Sequence, residues 1–359
     1  MKILILANND VGLYQFRREL IQELLKNNEV FISLPDGDLV EPLVEMGCKF
    51  IDTPVDRRGI NPIKDLKLML RYFFMFCGNS PDLVITYTIK PNVYGGFISR
   101  ILKIPYAVNI TGLGTAFQND GMLRKLVTAF YCIGLKKAKV VFFENEENLD
   151  TFVSSHIAKR NIACRLNGAG VNLDRYTIKD YPDGNITKFL FIGRVMKEKG
   201  VEELFAAMQM LINAGESVQL DVVGDYKEDY KEKIEQYKQE GWLYYHGYQK
   251  DVRPYIESAH CFVLPSWHEG MANTNLECAS SGRPIITSNI HGCLEAVEDR
   301  VSGYLCEKKN TQDLYEKMKL FVHLSFEERK CMGLAGRKRM ELFFDKKKVV
   351  EKTIEELYR

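Results

Sequence analysis

A chain of 359 residues is long for one domain and sufficient for two with separate cores, and 46% apolar with 27% charged residues is the balance of an ordinary globular protein. The 49 basic and 48 acidic residues nearly cancel, so no broad basic field argues for a nucleic-acid partner. Nine cysteines stand singly at 48, 77, 132, 164, 261, 278, 293, 306 and 331 with no C-x-x-C, which reads as reduced packing residues in a cytosolic protein.

The chain opens on a strand-like run, KILILA (2–7), without the positive-then-apolar layout of a signal peptide. A helix-period stretch follows at 14–27 (YQFRRELIQELLKN), then strand EVFISL (29–34) and helix IKDLKLMLRYFFMF (63–76). Strands LVITY (83–87), YAVNI (106–110) and KVVFFE (139–144) complete the first half. Its longest apolar spans, LMLRYFFMF with Arg71 inside it and LVTAFYCIGL (126–135), fall short of the roughly 18 apolar residues that cross a membrane. The rhythm pauses at YTIKDYPDGNITK (176–188), where Pro182-Asp183-Gly184 signals a turn. It restarts with KFLFIG (188–193), helix VEELFAAMQMLINAG (201–215), and strands VQLDVVG (218–224), HCFVLP (260–265) and PIITS (284–288). A charged helical stretch with breaks closes the chain at 309–359. Strand–helix alternation with near-continuous apolar strands predicts an α/β protein with two doubly wound parallel-sheet domains. The expected division is 1–180, 181–340, and a C-terminal helix at 341–359 packing back on the first domain.

In open α/β sheets ligands lie beyond the carboxyl ends of the strands, so the loops after strands carry the weight. The first such loop, ANNDVGLYQFRR, has a single Gly12 and no G-x-G-x-x-G, which argues against a dinucleotide dehydrogenase. GLGTAF (112–117) and GAGVNL (168–173) read as tight turns. After KFLFIG, Gly193 ends the strand, Arg194 follows, and Lys199 stands at the mouth of a helix. Two cations beside a helix N-terminus suit a diphosphate. The loop HEGMANTNLE (268–277) places Glu269 and Glu277 eight residues apart. Thr274 and Glu277 fit a T-x-x-E capping box, whereas Glu269 lies in the loop with the amides of 270–273 expected to face a ligand. A carboxylate beside exposed amides suits the hydroxyls of a sugar or ribose. Asp36 and Asp38 form the only D-x-D, in a turn, and the six histidines lack ligand spacing, so no metal site is expected. No G-x-S-x-G elbow supports a hydrolase.

These motifs together resemble a known family. Glu269-x7-Glu277, preceded by GRVMKEKG and followed by SGRPIITSNIHGCLEAV, is similar to family 4 of the retaining, nucleotide-sugar-dependent glycosyltransferases. YTIKPNVYGG (87–96) and NITGLGTAF (109–117) resemble the subgroup that builds capsule, exopolysaccharide and lipid-linked oligosaccharide in bacteria. The resemblance implies the GT-B fold, two Rossmann-like domains facing a central cleft. It implies that Arg194 and Lys199 hold the donor diphosphate, that Glu277 binds the ribose and that Glu269 faces the donor sugar, which makes Glu269, Arg194 and Lys199 the catalytic set. Gly193 and the segment Gly270, Met271, Ala272, Asn273, Thr274 and Asn275 complete the donor site. The loop HGYQKDV (246–252) would cradle the base near Val252. Gly12, Lys90, Tyr94 and Thr111 fall on the acceptor side. No cofactor and no metal are implied. Many members carry a histidine in the first domain, but here none precedes His156 and the corresponding region reads NITGLG. In the retaining mechanism usually proposed, the leaving phosphate itself takes the acceptor proton.

The implied reaction moves a hexose or N-acetylhexosamine from a UDP-sugar to a polyprenyl-diphosphate-linked saccharide. Lys64, Lys67 and Arg71 share one face of the aromatic helix at 63–76, and MLRKLVTAFYCIGLKKAK is basic at both ends. Such helices suit the surface of an anionic membrane, so the expected location is cytoplasmic and peripheral on the inner membrane face. A nucleotide-sugar epimerase of the same fold and a non-catalytic, hinge-closing binding protein are the competing readings.

Overall fold

Strand β1 (Lys2–Leu6) shows how the sequence selects its architecture. Every residue after Lys2 is buried, with Ile3 and Ile5 in one hydrophobic layer and Leu4 and Leu6 in the other. A strand apolar on both faces needs cover on both sides, which parallel sheets with crossover helices supply. The computed structural model describes residues 1–56, 61–113 and 121–359. The chain divides into two compact units, Met1–Ala169 with Lys347–Arg359, and Gly170–Lys346.

The first unit holds a seven-stranded parallel sheet in the order β3-β2-β1-β4-β5-β6-β7. Besides β1 its strands are β2 (Glu29–Leu34), β3 (Lys49–Asp52), β4 (Leu83–Tyr87), β5 (Tyr106–Ile110), β6 (Val140–Phe143) and β7 (Ala163–Arg165). Its helices are α1 (Asp10–Leu25), α2 (Val40–Glu45), α3 (Pro62–Asn79), α4 (Gly96–Ile101), α5 (Met122–Leu135) and α6 (Glu146–Ser154). Helix α1 starts four residues before the expected 14, because the Asn9 side chain accepts from the Gly12 amide at 2.6 Å and caps it there. No helix among the described residues is long and apolar enough to cross a membrane.

The second unit carries a six-stranded parallel sheet in the order β10-β9-β8-β11-β12-β13. The strands are β8 (Thr187–Ile192), β9 (Val218–Val223), β10 (Leu243–Tyr245), β11 (Cys261–Leu264), β12 (Ile285–Ser288) and β13 (Gly303–Cys306). Helices α7 (Val201–Asn213), α8 (Lys231–Gln239), α9 (Arg253–Ser258), α10 (Asn273–Ser280), α11 (Thr311–Val322) and α12 (Phe326–Arg339) connect and cover it. Helix α13 (Lys346–Tyr358) returns the chain to the first unit, where Val349 and Leu357 join the layer of Ile3 and Ile5. The expected joints at 180 and 340 lie inside the second unit. The Val171 amide donates to the Phe344 carbonyl at 2.8 Å and the Lys346 amide to the Val171 carbonyl at 3.0 Å, tying the stretches on either side into it. All nine cysteines are free, five of them buried.

Counted within each unit, the second sheet runs 3-2-1-4-5-6 and the first runs the same with a seventh strand after the sixth, and the strand order reverses at β1/β4 and at β8/β11. That reversal is where doubly wound folds open a ligand crevice.

One buried arginine closes the second unit. Arg283, 1% exposed, forms no ion pair with a carboxylate among the described residues. Its Nε donates to the Ile256 carbonyl at 2.9 Å and its Nη2 to those of Asp180 and Glu257 at 2.8 and 2.9 Å. Its Nη1 reaches those of Lys179 and Ser281, both at 3.2 Å. The planar fork satisfies carbonyls at the end of α9, at the end of α10 and in the segment before β8, three chain stretches that have no common ladder.

Candidate active site

The loops after β8 and β11 flank the second unit's reversal point, and they contain the expected residues. Gly193 directly follows β8 and Arg194 comes next, exposed, with no hydrogen bond or ion pair to a described residue. A short 3-10 turn, Lys197–Lys199, carries the chain to Gly200 and into α7. Gly200 has φ of +72°, and a Cβ there would stand 2.0 Å from the Pro265 carbonyl oxygen. Only glycine allows the two loops this approach.

The approach brings Lys199 onto Glu269, seventy residues away. The Lys199 ammonium pairs with Glu269 Oε1, and the Ser266 hydroxyl donates to the same oxygen at 2.7 Å. The two charged side chains are 18% and 12% exposed, so the pair is shielded from water and held in one geometry. Trp267 supports both loops. Its amide donates to the Glu198 carbonyl at 2.9 Å, its Nε1 to Glu203 Oε1 at 3.0 Å, and Lys309 lies 4.2 Å over its ring. Ser266 and Trp267 carry no spacing signal that would single them out in the sequence.

Beyond Glu269 the structure corrects two expectations. Helix α10 begins at Asn273 with Ala272 as its cap residue, and Ala272 supplies no side-chain bond. Thr274 therefore lies inside the first turn, and the T-x-x-E capping box does not form. The amides of 270–273 are also not all free: that of Ala272 donates to the Gly292 carbonyl at 2.7 Å and that of Asn273 to Met271 at 3.0 Å. Further along the donor-site segment, the Asn275 amide donates to the Ala272 carbonyl at 3.0 Å. Met271 and Ala272 are buried, and Asn275 is fully buried with its Nδ2 on Thr287. The segment is fixed by Gly292, whose φ of +89° and whose hypothetical Cβ, 2.7 Å from the Glu269 carbonyl, leave space for glycine alone. The partly exposed members are Glu269, Gly270, Asn273, Thr274 and Glu277.

Glu277 faces a different neighbourhood. Burial pushes its carboxyl up to about 7, against the Tyr176 hydroxyl that hydrogen-bonds to it and the charges of Lys346 and Arg175. Sequence reasoning missed Arg175 and Tyr176 because they sit just before and at the start of the polar pause ahead of β8, where no period or motif marks them. The expected base loop is stitched to these strand ends through Gly224, whose amide donates to the Gly247 carbonyl at 2.8 Å. Val252 stands at the start of α9, and Tyr248 is exposed.

In the first unit, Lys90 Nζ pairs with Asp65 Oδ1 at 2.8 Å, and the Tyr94 hydroxyl hydrogen-bonds to the same carboxylate. Gly12 is occupied in capping α1, and Thr111 follows β5 half-buried. Of GLGTAF, residues 114–117 lie outside the described residues. Among the described residues no three His, Cys, Asp or Glu side chains converge as metal ligands would.

Comparison with known proteins gives the family of each half of the chain and a likeness of fold. Residues 179–339 match the family of glycosyl transferases group 1, and residues 2–145 match the glycosyl transferase 4-like family. A Campylobacter jejuni protein, N,N'-diacetylbacillosaminyl-diphospho-undecaprenol alpha-1,3-N-acetylgalactosaminyltransferase, is 27% identical over 90% of this chain and 89% of its own length. The UDP-Gal:alpha-D-GlcNAc-diphosphoundecaprenol alpha-1,3-galactosyltransferase of Escherichia coli is 26% identical over 79% of this chain and 78% of its own. The crystal structure of Anabaena Alr3699/HepE in complex with UDP and glucose superposes with a TM-score of 0.83 at 15% identity. It covers 100% of this chain and 99% of that one, a likeness of fold.

Proposed function

The chain belongs to the group 1, 4-like glycosyltransferases, and on that premise we propose that it moves a hexose or N-acetylhexosamine from a UDP-sugar to a saccharide carried on polyprenyl diphosphate, with retention and without a metal. The observation that carries the reading is the meeting of Lys199 and Glu269 at the reversal point of the second sheet, with Arg194, unpaired among the described residues, on the same loop as Lys199. Breaking a glycosyl–phosphate bond builds negative charge on the departing diphosphate and positive charge on the sugar. Lys199, held by Glu269, is preorganised for the first, with the exposed Arg194 free to join it, and the Glu269 carboxylate serves the second. Because Glu269 already holds Lys199, the ammonium is placed before the donor arrives, and no reorganisation is needed as charge develops. The relatives named above act on undecaprenyl-diphosphate sugars, which supports a lipid-linked acceptor.

Glu277 is the proposed ribose ligand, accepting hydroxyl hydrogens in its ionised form. With its pKa near 7 the apo protein is partly protonated there at neutral pH, and a ligand that prefers the carboxylate must drive the proton off. Affinity for a UDP-sugar, whose diphosphate does not titrate in this range, is expected to be constant above about pH 8. Below about pH 7 it falls toward tenfold per unit. Glu277→Gln should bind weakly and without that pH dependence. Calorimetric titrations from pH 5.5 to 8.5 check this, and a flat wild-type profile would count against the assignment.

The lipid-linked acceptor also calls for a membrane contact, which we place on α3. Its outward residues Ile63, Leu66, Leu70 and Phe74 are 49–70% exposed, an apolar ridge where a solvated helix would be polar. Lys64, Lys67 and Arg71, all exposed, flank it. On α5, Met122 and Leu123 are likewise exposed, next to Arg124 and Lys125. An apolar ridge with a basic flank suits an anionic bilayer. Replacing Lys64, Lys67 and Arg71 by Gln should weaken binding to phosphatidylglycerol vesicles by about 3 kcal/mol, roughly a hundredfold in partitioning. Unchanged co-sedimentation would rule α3 out.

A further inference from the structure

The stretch from Thr88 to Gly95 in the first unit departs from ordinary backbone in ways the chemistry above does not use. Thr88, directly after β4, has φ of +73°, a left-handed conformation that a β-branched residue adopts only where its surroundings impose it. Its Oγ1 is buried without a hydrogen-bond partner among the described residues. Pro91–Gly95 then form a single π turn, a form concentrated at functional positions.

Two sets of contacts hold this turn. On the sheet side, Asn92 accepts from the Thr86 hydroxyl at 2.7 Å and donates to the Asn109 carbonyl at 2.8 Å. On the helix side, Lys90 and Tyr94 converge on the Asp65 carboxylate, with Lys90 and Asp65 15% and 10% exposed. Burial pushes the Tyr94 phenol up, so it stays a neutral donor. Asp65 lies in the first turn of α3 on its inner face, in line with Leu68, Tyr72, Met75 and Phe76. The opposite face of the same helix is the ridge of Ile63, Leu66, Leu70 and Phe74.

One helix thus presents an apolar, basic-flanked surface outward and, inward, the carboxylate that fixes the cation and phenol of the acceptor-side loop. We propose that Asp65 is a positioning residue that couples the seating of α3 on an anionic bilayer to the loop 88–95, holding Lys90 and Tyr94 ready for the diphosphate of a lipid-linked acceptor. An ammonium has three N–H donors, so Lys90 can keep Asp65 and still bind a phosphate oxygen. The inference rests on the lipid-linked acceptor proposed above.

Hydrogen exchange on the full chain, with and without phosphatidylglycerol vesicles, tests it in wild type and Asp65→Asn. Vesicles should slow exchange over 63–76 in both proteins, and slow it over 88–95 by about fivefold or more in wild type alone. With GlcNAc-diphosphoundecaprenol as probe acceptor, Asp65→Asn should raise its KM roughly tenfold while UDP affinity is unchanged, and Asp65→Glu should recover part of the loss. A loop 88–95 indifferent to vesicles in wild type, or responding equally in Asp65→Asn, overturns the coupling. Absence of protection over 63–76 overturns the membrane contact and the coupling with it. Coupled protection in a protein that turns over no lipid-linked acceptor supports the coupling and overturns the acceptor assignment alone.

Discussion

Removing either cation at the second sheet's reversal point is expected to lower turnover by on the order of 10²–10³, the loss that follows deletion of one preorganised group facing a developing anion. The two variants should differ in everything else. Arg194 is exposed and unpaired with any described residue, so Arg194→Ala should leave thermal stability within about 0.5 kcal/mol of wild type. Lys199 neutralises Glu269 in a site where both side chains are less than a fifth exposed, so Lys199→Ala leaves a shielded carboxylate without its partner. That should cost about 1–3 kcal/mol of stability besides the loss of turnover. Steady-state kinetics paired with urea unfolding separates the two effects. Equal stability losses would mean that the Lys199–Glu269 pair is not a fixed element of the apo site.

The largest effect on stability is expected at Arg283, far from any charge chemistry. Arg283→Ala would leave the carbonyls of Ile256, Glu257, Asp180 and Lys179 without their common donor in a buried place. Leaving several buried carbonyls without their charged donor costs about 1–3 kcal/mol for each that water cannot reach, so about 3–5 kcal/mol in all. For a unit of this size that corresponds to a fall in Tm on the order of 10 °C. Arg283→Lys keeps the charge but has three donors on a point instead of five on a fork, and should recover less than half the loss. Thermal unfolding of both variants checks this; a Lys variant as stable as wild type would show that charge, not the fork, is what matters.

The strands that the sequence revealed and those it hid divide by position in the sheet. The inner strands β1, β4, β5, β8, β11 and β12 are flanked by neighbours and covered on both faces, so they read as unbroken apolar runs such as LVITY and CFVL. The four that left no such run, β3, β7, β10 and β13, are the four sheet edges. KFID, ACR, LYY and GYLC are three or four residues long and paired on one side only, and all but GYLC are largely exposed or half-exposed, so neither length nor period distinguishes them from loops. In the site, residue types and loop positions were legible because the chemistry restricts them: cations after β8, carboxylates after β11. The pairing of Lys199 with Glu269 was not, since it depends on Gly200 packing against the Pro265 carbonyl and no local pattern encodes a contact seventy residues apart. The T-x-x-E reading failed for a related reason. The chain enters α10 while tied to Gly292, and this sets the helix start at Asn273 regardless of the side chain best suited to cap it.

Calorimetric titration of UDP in the presence of a chelator, with wild type, Arg194→Ala and Glu277→Ala, tests the central claim most directly. A nucleotide diphosphate held in the second unit by Arg194, Lys199 and Glu277 should bind at micromolar level. Each substitution should then weaken it by about tenfold or more, about 1.4 kcal/mol. No binding of UDP, or binding that neither substitution alters, would contradict the site and with it the transferase chemistry assigned to these residues.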